Sequence, residues 1–100
     1  YRAVQAYEAA RRKHPTVDRS AFAIGLVEFD HRHRYRSAAD WFAAYLSEQP
    51  EGPLAEEAQG RLMEAWQRAG ETSKARAVGE AYLARHPRGQ YADLARRLTR

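Results

Sequence analysis

Apolar positions along this chain recur at spacings of three and four, the mark of helices with one buried face. Over Arg19 to about His31, the stripe is Phe22, Leu26 and Phe29, with Asp18 placed to cap the free amides at its start. From about Arg34 to Glu48, Ala38, Trp41, Phe42, Tyr45 and Leu46 share a face. Pro50 stops this helix, because the residue ahead of a proline is pushed out of helical dihedrals. Gly52-Pro53 opens a third helix, where the missing proline N–H costs nothing and Glu56 and Glu57 favour the positive dipole end. Leu54, Ala58, Leu62, Ala65, Trp66 and Ala69 supply its buried stripe, and Gly70 is a natural left-handed stop. A fourth helix runs to about Arg85 with Ala75, Val78, Ala81 and Tyr82 facing inward. Residues 2–13 and 89–99 read as unpaired end helices, the second with Tyr91, Leu94, Ala95 and Leu98 apolar and Arg96, Arg97 and Arg100 outside.

The pattern repeats. Tyr45-Leu46-Ser47-Glu48-Gln49-Pro50 aligns with Tyr82-Leu83-Ala84-Arg85-His86-Pro87 at an offset of 37 residues, which also carries Ala38 onto Ala75 and Phe29 onto Trp66. A further copy ends at His14-Pro15, preceded by Ala3 and Tyr7. One domain therefore divides into a half repeat over 1–15, repeats over 16–50 and 51–87, and a capping helix over 88–100. Six helices, short loops and no strand signal predict an all-α solenoid of antiparallel helical hairpins, in which each repeat buries its face only against neighbours. The chain opens on Tyr1 without a leader or lipidation motif and reads as part of a larger protein.

Composition narrows the function classes. One hundred residues with 44% hydrophobic and 30% charged positions suit one packed domain and exclude a disordered tail. No apolar run approaches the roughly 20 residues that a bilayer helix needs. The absence of cysteine removes disulfides, thiolate nucleophiles and Cys-based zinc sites. Net charge is +4, but 15 Arg beside only two Lys and 20 Ala is the skew that GC-rich codons produce without selection for binding. The charge is spread along the chain rather than gathered, which argues against nucleic acid as the partner.

The chain resembles the tetratricopeptide repeat (TPR) family in Phe29, Ala38, Phe42, Tyr45 and Pro50, and again in Met63, Trp66, Gly70, Ala75, Tyr82 and Pro87. It departs from that family in its period, which is about 34 in the family. It also has His33 where glycine is usual, and Gly79 where the preceding copy has Phe42. The resemblance implies a non-catalytic scaffold or adaptor with a concave groove lined by the first helix of each pair. Its groove positions fall on Ala23, Val27 and Asp30 in one copy and on Glu57, Gly60, Glu64 and Gln67 in the next. Such a groove is mildly acidic and suits a protein or peptide segment with basic side chains. Arg68 is the lone cation near these positions, which argues against the family's carboxylate-clamp mode. The YLxxxP endings followed by LAEEA or YADLA resemble the TPRs of bacterial envelope proteins, including periplasmic coordinators and anti-sigma-factor or FecR-like regulators, and imply a periplasmic setting.

Other chemistry is sparse. In His31-Arg32-His33-Arg34-Tyr35-Arg36, two imidazoles lack the third and fourth ligands of a stable metal site, so the run reads as a solvated turn with Tyr35 packed inward. His14 and His86 sit before helix-ending prolines, where the dipole favours a cation. No serine lies in a nucleophile motif, no glycine-rich phosphate loop is present, and Glu56 and Glu57 point to different sides of a helix, so neither an enzyme nor a cofactor is expected. Two alternatives remain open. One is a basic surface of Arg32, Arg34, Arg36, Arg96, Arg97 and Arg100 docking on nucleic acid or anionic membrane. The other is self-association through the face of the first half repeat, which carries Val4 and Tyr7.

Overall fold

The computed structural model describes residues 18–100. The expected helix over 2–13, the half repeat with Val4 and Tyr7, and His14 lie outside the described residues. The described chain is all helical: α1 (Ser20–Leu26) continuing into a wider turn over Val27–His31, α2 (Tyr35–Glu48), α3 (Ala55–Arg68), α4 (Thr72–Arg85) and α5 (Ala92–Leu98). Each helix packs against the next in sequence. No strand occurs among the described residues.

The turns that lead from one pair to the next recur in hydrogen-bonding detail at the 37-residue offset. Tyr45 is buried at the end of α2, and its hydroxyl accepts the Leu54 N–H at 3.1 Å. Tyr82 is buried at the end of α4, and its hydroxyl accepts the Tyr91 N–H at 3.0 Å. Around these anchors the backbone bonds match, Gly52 N–H to Gln49 and Ala55 to Gly52, then Gly89 to His86 and Ala92 to Gly89. A phenol from the outgoing helix thus satisfies an otherwise orphaned amide at the entry of the following one, where no side chain caps α3 or α5. Asp18 acts similarly ahead of α1, its Oδ1 accepting the Ser20 N–H at 2.8 Å.

Within each pair the tight turn needs a left-handed residue. Gly70 (φ 80°) ends α3, with Glu71 N–H bonded to the Trp66 carbonyl and Gly70 N–H to Gln67, a Schellman arrangement. His33 (φ 54°) holds the matching place after α1. There the closing bond runs from Arg34 N–H to Glu28, one carbonyl further back, because the Arg32 N–H to Val27 bond has widened the last turn. A side chain in this region costs roughly 1–2 kcal/mol, offset by the greater unfolded-state entropy of glycine. His33 is exposed and contributes one 3.2 Å hydrogen bond to the Tyr35 hydroxyl. The His33→Gly variant is therefore expected to gain up to about 1 kcal/mol in urea unfolding, and Gly70→Ala to lose about as much.

The core runs along the inner stripes. Phe22, Phe42, Tyr45 and Leu62 join one cluster, and Met63, Tyr82, Ala92 and Ala95 form a second towards α5. The inner stripe of α4 is Ala75, Val78, Gly79 and Tyr82, a spacing of three, one and three. Ala81, expected inside, is exposed, because one residue from Tyr82 is a 100° rotation away.

Candidate functional site

Side chains of α3 reach the segment that follows α1 and the residue ahead of α5. Arg61 on α3 reaches Asp30 beyond α1 at 3.3 Å and donates through Nε to Glu57 at 3.2 Å. Tyr91, at the start of α5, donates its hydroxyl to the same Glu57 oxygen at 2.7 Å. Arg61 also lies over the Phe29 ring, 5.5 Å from its centroid, and Arg68 lies over Phe29 and Tyr35 while pairing with Glu64 at 3.6 Å. Each expected groove carboxylate, Asp30, Glu57 and Glu64, thus holds an arginine of α3. The face is a lattice of alternating charge carrying one more acid than base among these five groups.

Of the expected groove residues, Ala23, Val27, Asp30 and Gln67 are exposed, and Glu57 and Glu64 are half-buried. Gly60 does not line the surface. It is buried, and a Cβ there would lie 2.1 Å from the Tyr91 ring, which rests flat on the glycine backbone. Tyr91 and Arg61 are the two members that sequence reasoning missed. Their signal was present as a bare glycine in mid-helix on α3 and an aromatic 37 residues after Leu54.

Burial first, and then the hydrogen bond to the Glu57 carboxylate, raise the Tyr91 phenol above its ordinary pKa of 10.0. Burial raises Tyr82 likewise, and its hydrogen bond to Glu56 adds to that. A folded-state pKa above the unfolded value gives stability that is complete below the unfolded pKa and is lost as pH rises through the folded one. Unfolding midpoints in urea are therefore expected to fall as pH rises past about 10, and Tyr91→Phe should flatten that decline.

Three of the six residues of the expected basic surface pair with acids. Arg32 pairs with Glu28 at 3.4 Å, Arg36 with Glu71, and Arg96 with Asp93 at 3.3 Å, while Arg34, Arg97 and Arg100 are exposed. His31 and His33 are exposed as well. No group of three or more metal-ligating side chains lies together among the described residues.

A separate cleft of about 430 Å³ opens between the Pro50–Pro53 turn and the end of α4. Arg85 bridges it to both oxygens of Glu51 at 2.8 Å, and this pairing lowers the Glu51 carboxyl below its ordinary value. Glu56 accepts from Tyr82 there at 2.9 Å and faces His86 Nδ1 at 3.7 Å. No helix among the described residues is long and apolar enough to cross a membrane. Comparison with family models, curated proteins and solved structures finds no match to this chain.

Proposed function

We propose that this chain is a non-catalytic protein-binding module of the TPR type, a solenoid of six antiparallel helices whose first-helix face takes a segment of a partner protein. The observation that carries this reading is the recurrence of the tyrosine-anchored turn, Tyr45 to Leu54 and Tyr82 to Tyr91, with the same backbone bonds around each. Identical turns impose the same step between successive pairs, and an equal step sets the first helices in a row. The side-chain bridges from Asp30 to Arg61 and from Glu57 to Tyr91 fit such a row. They also give it a preformed surface, which lowers the ordering cost of binding. The sequence style places the module in a bacterial envelope protein, as an adaptor or as part of a signalling regulator.

The test is retention of a partner from lysate of the source cells, nuclease-treated, at low and high salt. Variants are best placed at the exposed positions Val27 and Gln67, since Asp30, Glu57 and Glu64 hold the arginines of α3. A discrete protein retained by the native chain and lost from Val27→Asp with Gln67→Lys supports the groove. Retention of nucleic acid alone, without nuclease and at low salt, overturns it in favour of the basic surface.

A further inference from the structure

Asp18 and Glu28 are the buried charged residues among the described residues, with 7% and 6% of their surfaces accessible. Glu28 meets Arg32 at 3.4 Å. Oδ1 of Asp18 accepts the Ser20 N–H, but its Oδ2 is buried and has no hydrogen-bond partner among the described residues. A buried carboxylate oxygen left without a donor or cation is costly, so Oδ2 calls for a cationic partner from outside residues 18–100.

The repeat shows where that partner comes from. At the 37-residue offset, Asp18 and Ala21 correspond to Ala55 and Ala58 at the start of α3. That part of α3 is covered by α2: Ala58 joins the cluster of Phe42 and Tyr45, and Leu46 lines one cleft with Ala55. The two helices run antiparallel, with Tyr45 reaching Leu54 at one end and Arg36 reaching Glu71 at the other. The copy that ends at Pro15 aligns with α2 at an offset of 35, which carries Pro50 onto Pro15. This offset is shorter by two because two residues separate Pro15 from Asp18, against four between Pro50 and Ala55. Leu46, Ser47 and Glu48 then correspond to Arg11, Arg12 and Lys13. The apolar pair Leu46 and Ala55 is thus replaced on both sides at once, by Arg11 and Asp18.

Charge agrees with this exchange. Residues 1–17 carry Arg2, Arg11, Arg12 and Lys13 against Glu8 as their one acid. We infer that residues 2–13 take the place on α1 that α2 takes on α3, and that Asp18 Oδ2 holds Arg11. A charge pair seats the first repeat where an apolar contact seats the next. The inference concerns a different surface from the partner groove, and that reading stands whichever way this one falls.

The test is a double-mutant cycle in urea unfolding of the full chain. Asp18→Asn keeps an oxygen to accept the Ser20 N–H and removes the charge, and Arg11→Gln removes the cation. Each single variant is expected to lower the folding equilibrium constant roughly tenfold, and the second change should then add almost nothing. Arg12→Gln and Lys13→Gln should show no coupling to Asp18→Asn. An Asp18→Asn chain as stable as the parent, or more so, means that the carboxylate has no partner, and the inference falls. Equal losses from Asp18→Asn with and without Arg11 assign Oδ2 to another cation and overturn it too. Coupling that grows with protein concentration assigns the cation to a second copy, and coupling at Arg12 or Lys13 instead of Arg11 breaks the register; either overturns the inference. A further readout needs no variant to fold. In the parent chain the Arg11 Nε–H should exchange with water several-fold more slowly than that of Arg12, and equal rates would contradict the pairing.

Discussion

Replacing Phe42 by alanine is expected to lower the unfolding free energy by about 3–5 kcal/mol, the range for a buried phenylalanine truncated in a packed core. Phe42 has no accessible surface, and its ring lies 5.6 Å from that of Phe22 between centroids. The site cannot collapse to refill itself, because the position facing the ring is Gly25, where an added Cβ would stand 2.6 Å from a Phe42 ring carbon. For a chain of this size the loss corresponds to a fall of about 15–30 °C in the midpoint of thermal unfolding, read by far-ultraviolet circular dichroism. A drop of under about 1 kcal/mol would mean that Phe22 and Tyr45 close the space, and the packing account would be wrong.

The next pair of helices carries different residues at these two places. At the 37-residue offset, Gly25 becomes Leu62 and Phe42 becomes Gly79. The space at Gly79 is taken by Met63 of α3 and by the end of α5, while Leu62 joins the first cluster. Gly79 lets Met63 and Thr99 come within 3.4 and 3.2 Å of the place its Cβ would occupy, so α5 settles close to α4. The exchange predicts a coupled pair. Gly25→Leu alone should cost about 1–3 kcal/mol by overpacking, and in the Phe42→Ala background it should recover stability instead. Measured coupling within about 0.3 kcal/mol of zero would show that the two positions do not share one space.

This exchange marks the boundary of what the sequence could be made to say. Helix spans follow from local terms, and the expected starts and stops near Ser20, Glu48, Arg68 and Arg85 lie within a residue or two of those observed. The fully buried Ala38, Phe42, Tyr45, Ala75 and Tyr82 were legible because a helical stripe needs only the period of its own segment. The departure at Gly79 was visible as a missing aromatic, but its meaning lay in other segments, in Met63 of α3 and in Thr99 after α5, where no local period reaches. His33 was noticed as an unexpected residue in a glycine place, and its positive φ shows that the place still imposes its geometry. The widened turn at Val27–His31 had no sequence signal.

Of the candidate site, the acids were legible and their state was not. Asp30, Glu57 and Glu64 were expected as open carboxylates, because helical periodicity places them on one face without saying what stands opposite. Opposite stand Arg61 and Arg68, which the same periodicity places one turn beyond Glu57 and Glu64 on that face. The consequence for recognition is direct. In the proposed binding mode a partner would meet a preordered lattice of nearly balanced charge rather than an acidic trough. Raising ionic strength should weaken such binding only modestly.

The Gly60→Ala variant should lose about 2 kcal/mol, against the sign that helix propensity alone gives. In the middle of a helix, alanine is worth roughly 0.5–1 kcal/mol over glycine, and that gain is real here too. The new methyl, however, would enter the Tyr91 ring, with ring carbons at 2.1, 2.3 and 2.4 Å from its position. An aromatic ring yields only by moving as a whole. Moving it stretches the 2.7 Å bond to Glu57 and the 3.0 Å bond from the Tyr91 amide to Tyr82, which anchors the turn into α5. Loss of a hydrogen bond to a charged group costs about 1.5–3 kcal/mol, which outweighs the propensity gain. Two readouts separate this local account from general unfolding. The Tyr91 phenol, followed by ultraviolet titration, should move back towards its ordinary 10.0, since both burial and the Glu57 bond that raise it are weakened. In a double-mutant cycle with Tyr91→Ala, most of the penalty at position 60 should disappear, because the methyl then meets no ring. A Gly60→Ala chain as stable as the parent would mean that Tyr91 does not lie on the glycine. The contact between α3 and the start of α5 would then lose its brace.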